Sequence, residues 1–454
     1  MKKIVVKFGG SNLQTDEDLG RLLNIIEAYH QPLIIVISAF YGITNYLQDL
    51  IWKVQYDQHS VHAGIQFIRR LKQNILIKNV SKKESQDRIL QKIDHLVEEL
   101  ERYLMGIHLI GEIPKQTEEL ILSYGERLSS LLLTEILNEK GLNAIEKKPE
   151  DIKLITTGNF GNAEIDYKAS RVAENLSFDT LTVIPGFYGI SSTGKVTLLG
   201  RGGSDYSAAA IARCMKADYL DIWKDVNGFM SGDPKIVNSP RNLERLTYTE
   251  AAELAYFGAK ILHPRTVEPL IEPGIPIRIF DVSSCENTQK PRTIISHESQ
   301  VYQTVIKSVT FSDDFGILQL EGPGVGMKPG ILAHVTQALD KATINIKSVI
   351  TAQTSINILL SLHDLDTAYE VTRKVISSVV SGLKIFKDIS LIAVVGHGIL
   401  ETPGVAARIF GAVSRKNINI KIISVGASPV AAYFIVDKSD RDRAVKTIHE
   451  EFFP

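Results

Sequence analysis

Two stretches of this sequence set charged side chains among glycines where a strand or a helix meets a turn. The first is Val5-Val6-Lys7-Phe8-Gly9-Gly10-Ser11. An apolar strand runs into paired glycines, which can turn sharply and approach a ligand closely. Amides freed in such a turn can cradle a phosphate, and Lys7 adds an ammonium. The same pattern also serves as a plain strand-to-helix turn. The second is Leu199-Gly200-Arg201-Gly202-Gly203-Ser204-Asp205, followed by Ala208-Ala209-Ala210. Glycines ahead of a small-residue helix aim its free amides and positive dipole end at a ligand. Arg201 offers a planar fork that fits a carboxylate, and Asp205 can orient a lysine or a metal-bound phosphate. Capping by Ser204 and Asp205 accounts for the turn but not for the arginine.

Three weaker signals accompany these. Trp223-Lys224-Asp225 opens a loop reaching Met230, Asp233-Pro234 and Lys235, with turn dipeptides along it. It suits an adenine and ribose pocket, or it only connects elements. Lys260, after Gly258-Ala259 and before Ile261, can reach phosphates or be a solvated charge. His263, between Leu262 and Pro264, reads as a packing histidine. Glu126, beside Gly125 in a helical pattern, can pair with an ammonium in a cleft or lie on the surface.

The elements that must position these residues follow from periodicity. Lys3–Phe8 and Leu33–Ile37 are continuous apolar runs, as in parallel strands covered on both faces. Ser38 and Thr44 follow the second run, at the strand end where open α/β sheets bind ligands. Thr15–Asp18 opens a helix. From about Tyr46 to Leu142 the pattern is helical, with Leu90, Ile93, Leu96, Val97 and Leu100 at helix spacing. Strands return at 181–184, at 219–223 and last at 275–280, with a helix over 206–215 between the first two. The polar stretch 283–301 reads as a linker. Beyond it, Pro329-Gly330-Ile331 and Ile344-Asn345-Ile346-Lys347 recur as Pro403-Gly404-Val405 and Ile418-Asn419-Ile420-Lys421. A single offset of about 74 residues relates both pairs, which argues for duplication. Each copy reads strand, Pro-Gly turn, helix, strand, strand.

The totals bound the class. A chain of 454 residues is long enough for two to four domains. A net charge of −1 gives no basic field for nucleic acid. Two cysteines, Cys214 and Cys285, form no disulfide framework and suit a reducing, cytoplasmic setting. No signal peptide and no apolar run long enough for a bilayer is read, so neither membrane nor nucleic acid is an expected partner.

Taken in order, Lys7-Phe8-Gly9-Gly10-Ser11, Gly125-Glu126, Arg201-Gly202-Gly203-Ser204-Asp205, the Asp225–Pro234 loop and Phe257-Gly258-Ala259-Lys260 resemble the aspartate kinases of the amino-acid kinase family. The repeat resembles the tandem ACT domains that follow the kinase domain there. The resemblance implies a three-layer α/β kinase domain with a mainly parallel sheet over residues 1–285. Within it, an aspartate lobe would cover about 1–205 and a nucleotide lobe about 206–285. A linker at 286–306 would lead to two ferredoxin-like ACT domains, 307–386 and 387–454, which relatives interleave. With no further domain after Pro454, the sequence reads as the monofunctional form.

The implied reaction is Mg-ATP plus L-aspartate to ADP plus 4-phospho-L-aspartate, the first step toward lysine, threonine and methionine. The attacking β-carboxylate is already ionised at neutral pH, so no general base is required. Positioning and charge stabilisation then carry the rate. By similarity Lys7 and Lys260 neutralise the transferring phosphoryl group and Asp205 orders Lys7. Arg201 clamps the aspartate α-carboxylate and Glu126 pairs with its α-ammonium, with Ser38, Thr44, Gly203 and Ser204 completing that pocket. Gly9, Gly10, Ser11, Lys224, Asp225, Met230, Lys235 and Ile261 stand at nucleotide positions. The cofactor set is ATP with Mg²⁺ bridging its phosphates, and no protein metal-ligand cluster is assigned. Met230 and Lys235 replace the Tyr and Arg of many relatives, and Lys lacks the bidentate fork.

The ACT pair implies feedback by threonine or lysine, held by Val325, Lys328, Ile331, Leu332, Asn345, Ile346 and Lys347. Lys347 would repel a lysine side chain. Such domains pair across subunits, so a homodimer or homotetramer is expected. Two rivals remain: a family member acting on another acid such as glutamate, and a silent amino-acid sensor. Retention of Lys7, Asp205 and Lys260 together speaks against the sensor.

Overall fold

The computed structural model describes residues 2–259, 261–284, 290–298, 305–376 and 379–453. Lys260 and Cys285, both singled out in the sequence, lie outside them. The described residues fall into two compact units. The second takes residues from 305 onward with two short excursions out of the earlier sequence, 230–241 and 256–259; the first takes the rest.

In the first unit β1 (Ile4–Phe8) leads through a 3-10 turn into α1 (Asp16–Ala28), opened by a reciprocal cap between Thr15 and Asp18. β2 (Ile34–Ile37) follows, and every residue of β1 and β2 is buried. Four helices come next: α2 (Ile43–Val54), α3 (His59–Asn79), α4 (Lys83–Ile110) and α5 (Lys115–Glu139). The expected stripe on α4 packs into the core, with one shift. Ile89 is fully buried and leads the row through Ile93, Leu96, Val97 and Leu100, while Leu90 is half-buried beside it.

Beyond α5 lie β3 (Ile145–Glu146), β4 (Ile155–Thr157), β5 (Glu164–Ile165), α6 (Val172–Asn175), β6 (Thr182–Pro185), β7 (Tyr188–Ser191) and β8 (Val196–Leu198). Then come α7 (Gly203–Cys214), β9 (Tyr219–Lys224), β10 (Arg245–Thr247), α8 (Tyr248–Tyr256), α9 (Pro264–Ile271), β11 (Ile277–Asp281) and β12 (Thr293–Ser296). The main sheet has the order β10-β12-β11-β9-β1-β2-β6-β3, parallel except where β11 meets β12. This is the mainly parallel α/β body expected from the continuous apolar runs. A smaller sheet, β5-β4-β7-β8, forms beside it.

β12 corrects the sequence reading. The stretch taken as linker contains a strand of the kinase sheet, antiparallel to β11 and parallel to β10. Thr293 and Ile295 are buried and alternate with half-buried Ile294 and Ser296. Four residues of half-buried alternation are easily hidden in polar surroundings.

In the second unit the repeat becomes two four-stranded antiparallel sheets. β13 (Ser308–Ser312) comes first. β14 (Phe315–Glu321), α10 (Ile331–Lys341), β15 (Ile346–Ala352), β16 (Ser355–Ser361), α11 (Leu365–Arg373) and β17 (Gly382–Phe386) make the first copy. β18 (Ile389–Val395), α12 (Val405–Ser414), β19 (Ile422–Val425), β20 (Ala431–Asp437) and α13 (Arg441–Phe452) make the second. The sheet orders are β15-β16-β14-β17 and β13-β18-β20-β19. β13 therefore stands in the second copy where β17 stands in the first, so the copies interleave and a cut at Phe386 does not separate them. Each copy also carries a second helix, α11 or α13, that the sequence pattern had not included. Val237, on the 230–241 excursion, packs into the core of the second copy with Val309, Val394 and Ile448. Among the described residues no helix is long and apolar enough to cross a membrane.

Candidate functional site

β1 and β9 are parallel neighbours, with Phe8 opposite Trp223. Their C-terminal ends thus bring Lys7 and Lys224 together. α7 begins against them, and its first turn carries Asp205. Lys7 is only 4% exposed and forms an ion pair with one Asp205 oxygen. The other oxygen accepts from Lys224 Nζ at 3.0 Å. Burial opposes ionisation of Asp205, but the Lys224 and Lys7 ammoniums overcome it and hold the carboxyl well below its usual range. Burial lowers the Lys7 pKa, with Asp205 opposing. Two cations sharing one anion leave this trio with a surplus positive charge.

The turn after β1 is knitted to the end of β9. Asn12 Nδ2 donates to the Trp223 carbonyl at 2.7 Å, and Ser11 Oγ donates to Asp225 at 3.0 Å. The need for glycine here is proximity: a Cβ on Gly10 would stand 2.9 Å from the Ala39 carbonyl oxygen. At Gly202 it is both conformation and space. Its φ is +71°, and a Cβ there would meet the His263 side chain at 2.4 Å. His263 itself caps α9, its Nδ1 accepting from the Arg265 amide.

A cavity of about 640 Å³ opens on this trio. Lys7, Gly10 and Asp205 form one side of its lining, with Gly203, Ser204 and Arg201 beside them. Ser38 and Thr44 line it from the turn after β2, and Glu126 from the middle of α5. Glu126 is buried, and burial pushes its carboxyl up to about 8 against the Ala39 amide, the Ser204 hydroxyl and Lys7. Ser204 Oγ donates to it at 3.4 Å. Arg201 is exposed at the cavity rim. The cavity thus presents a carboxyl group and a guanidinium together, a pattern complementary to an amino-acid zwitterion.

The remaining expected residues distribute differently. Gly9, Ser11 and Asp225 lie at the ends of β1 and β9, next to the trio to which Lys224 belongs, and none of the four is in the cavity lining. Ile261 is half-buried ahead of α9. Met230 and Lys235 belong to the second unit, on the 230–241 excursion. There Ser231 is pinned by His449 Nε2 at 2.8 Å and its carbonyl accepts from Val309 N at 2.9 Å. Among the effector positions, the Val325 and Ile331 side chains belong to the core of the first ACT copy and Leu332 packs on it, so at 325 and 331 only backbone is available to a ligand. Lys328 and Asn345 are exposed, and Ile346 and Lys347 are half-buried on β15 or at its start. Lys347 Nζ stands 4.8 Å from the Tyr256 ring centroid, and burial lowers its pKa.

Three residues around the cavity escaped sequence reasoning. Phe187 lines it with φ +75° and donates its amide to Ser207 Oγ. Glu119 accepts amides from Gly161 and from Leu198, the latter at 2.7 Å, tying α5 to the smaller sheet. Burial raises its carboxyl to about 7. It lies two helical turns before Glu126, a spacing that points to the same face. The third, Lys72, is taken up below.

Residues 2–281 match the amino acid kinase family, and residues 310–373 and 392–452 each match an ACT domain. Aspartokinase 1 of Arabidopsis thaliana is 30% identical over 99% of this chain and 80% of its own length. The bifunctional aspartokinase/homoserine dehydrogenase of Buchnera aphidicola is 29% identical over 99% of this chain, which spans 56% of that relative's length. Escherichia coli aspartokinase III has been solved with aspartate and ADP, and with lysine and aspartate. Those structures superpose with TM-scores of 0.84 and 0.81 at 26% identity, each pair covering 100% of both chains.

Proposed function

The chain belongs to the amino acid kinase family, with two ACT domains after the kinase fold, and from that premise we propose that it phosphorylates the β-carboxylate of L-aspartate with Mg-ATP. The observation that carries this reading is one cavity holding Glu126 and Arg201 for an amino acid's α-groups beside the Lys7–Asp205–Lys224 trio.

Aspartate's α-ammonium meets Glu126, which releases its proton to solvent as the cation arrives, and Arg201 takes the α-carboxylate through its fork. The β-carboxylate is then directed toward Lys7. One of its oxygens forms a bond to the γ-phosphorus while the bond from that phosphorus to the β-γ bridging oxygen breaks, and ADP departs with the electron pair. No proton need move at the reacting atoms. The surplus positive charge of the trio faces the equatorial phosphoryl oxygens, in a site dry enough for that charge to count. Lys260 remains assigned by resemblance. Mg²⁺ fits as a companion of the nucleotide phosphates: Asp205 is fully engaged by two lysines, while Asp225 is exposed at the end of β9. When bound, Mg²⁺ supplies charge neutralisation between phosphates.

A hydroxylamine trap for the acyl phosphate, run with aspartate and then with glutamate, tests the reaction. Hydroxamate from aspartate alone supports it, and hydroxamate from glutamate alone selects the rival substrate. ADP release no faster than in Lys7→Ala would select the silent sensor.

The ACT pair is read as an amino-acid effector site on a homodimer or homotetramer. The E. coli enzyme was solved with lysine. Here the Lys347 ammonium disfavours a second lysine side chain, so threonine is the better fit. Calorimetry with both amino acids decides between them.

A further inference from the structure

Lys72 lies midway along α3, wholly removed from solvent, and no step of the reaction uses it. Its ammonium has no hydrogen-bond partner. It rests on the face of the Phe40 ring, 3.9 Å from the centroid. A cation–π contact offsets only part of the cost of burying a charge. A methionine of the same length would fill this space without that cost.

The neighbouring residue explains what the charge can do. Glu126 accepts the amide N–H of Ala39, and its Oε2 is buried with no partner. The Phe40 amide donates to Ser129 Oγ, one turn along α5, at 3.2 Å. Gly125 admits the turn closely, since a Cβ there would meet the Ala39 Cβ at 2.8 Å. The Ala39–Phe40 dipeptide is therefore gripped from two helices, by a carboxyl group on one residue and an ammonium on the next. Phe40 and Glu126 both line the substrate cavity.

We propose that Lys72 is a positioning residue for Glu126: its ammonium, buried behind the Phe40 ring, makes the Glu126 carboxylate available when a substrate ammonium enters. The inference rests on the reading of Glu126 as the seat of aspartate's α-ammonium. The other groups around Glu126 can be named. Lys7, reaching it from β1, is a cation that lowers its carboxyl, and it is shared with Asp205. α7 contributes the Ser204 hydroxyl, and Asp205 on the same turn is neutralised by Lys7 and Lys224. α2 brings Thr44, which carries no charge. Glu99 of α4 and Glu146 of β3 are turned to Tyr124 and Ser130, at other positions of α5. Burial pushes Lys72 down to about 7, and Glu126 is the charge that opposes this.

The test uses the full chain labelled with [δ-¹³C]glutamate, with the Glu126 resonance assigned by its loss in Glu126→Gln. In Lys72→Met the Glu126 titration midpoint rises, and in Lys72→Arg it stays near the wild-type value. Lys72→Gln is a second neutral variant should the first fail to fold. In steady-state assays the neutral variant's KM for aspartate rises at least about tenfold, with kcat and the KM for Mg-ATP little changed. A pure packing role would leave the midpoint where it is, and an unmoved midpoint in a folded neutral variant overturns the proposal. A midpoint that moves in a protein unable to phosphorylate aspartate keeps the coupling and overturns the assignment of the reaction instead.

Discussion

Replacing Glu126 with glutamine should stabilise the empty kinase unit while weakening its hold on aspartate. In the folded protein burial raises this carboxyl from 4.5 to about 8. An acid whose folded pKa is raised lends its stability below the unfolded value and loses it as pH climbs toward the folded one. At pH 7 the wild type has lost about 2.5 units' worth, on the order of 3 kcal/mol. That is a large share of the 5–15 kcal/mol typical of a domain. Glutamine keeps acceptors for the Ala39 amide and the Ser204 hydroxyl but has no charge to desolvate. Glu126→Gln should therefore be about 3 kcal/mol more stable at pH 7, with the gap closing toward pH 4.5. Urea unfolding followed by tryptophan fluorescence isolates the relevant part, because Trp52 and Trp223 both lie in the first unit. The same variant should raise the KM for aspartate by about ten- to a hundredfold, the cost of a lost charged hydrogen bond. A variant less stable than wild type at both pH values, or a gap independent of pH, would mean that Glu126 is ionised in the empty protein.

Other expectations follow from the same geometry. Lys7→Ala should lower kcat by about 10²–10³ in a coupled assay of ADP release, the usual loss for one preorganised donor. Asp205→Asn strands two lysines and should destabilise the first unit by about 3–5 kcal/mol in the same urea experiment. Because the Asp205 carboxyl is held below its usual range, its stabilisation should persist above that range and fade only as pH falls well below it. Gly326→Ala would place a Cβ 2.0 Å from the Ala352 carbonyl oxygen, where the turn before α10 meets β15. The turn must shift, so threonine binding measured by calorimetry should weaken while the tryptophan unfolding midpoint stays put.

The glycine motifs around Lys7 and Asp205 were legible because their chemistry is local. A strand ending in glycines and a helix opened by them are built from neighbouring residues, and so are the two Pro-Gly turns that mark the ACT copies. Glu126 could be nominated because it adjoins Gly125 on a helix. Its burial beneath Ala39, and the raised pKa that follows, depend on how α5 meets the turn after β2.

Other features are decided between distant residues. β12 is a strand because β10 and β11 offer it open edges, and its own four residues do not announce that. β13 joins the sheet of the second copy rather than the first, since strand pairing answers to partners far along the chain. Residues 230–241 leave the kinase unit because Val237 finds its core among Val309, Val394 and Ile448. Lys72 looks in sequence like any lysine on an amphipathic helix; only the packing of α3 against Phe40 strips it of water and sets its ammonium on that ring. The sequence by itself nominated groups suited to a phosphoryl transfer and many of the strands and helices, though not β12, α11 or α13. Tertiary structure decided which of those groups are desolvated and which strands share an edge, because burial and pairing are properties of residues brought together from hundreds of positions apart.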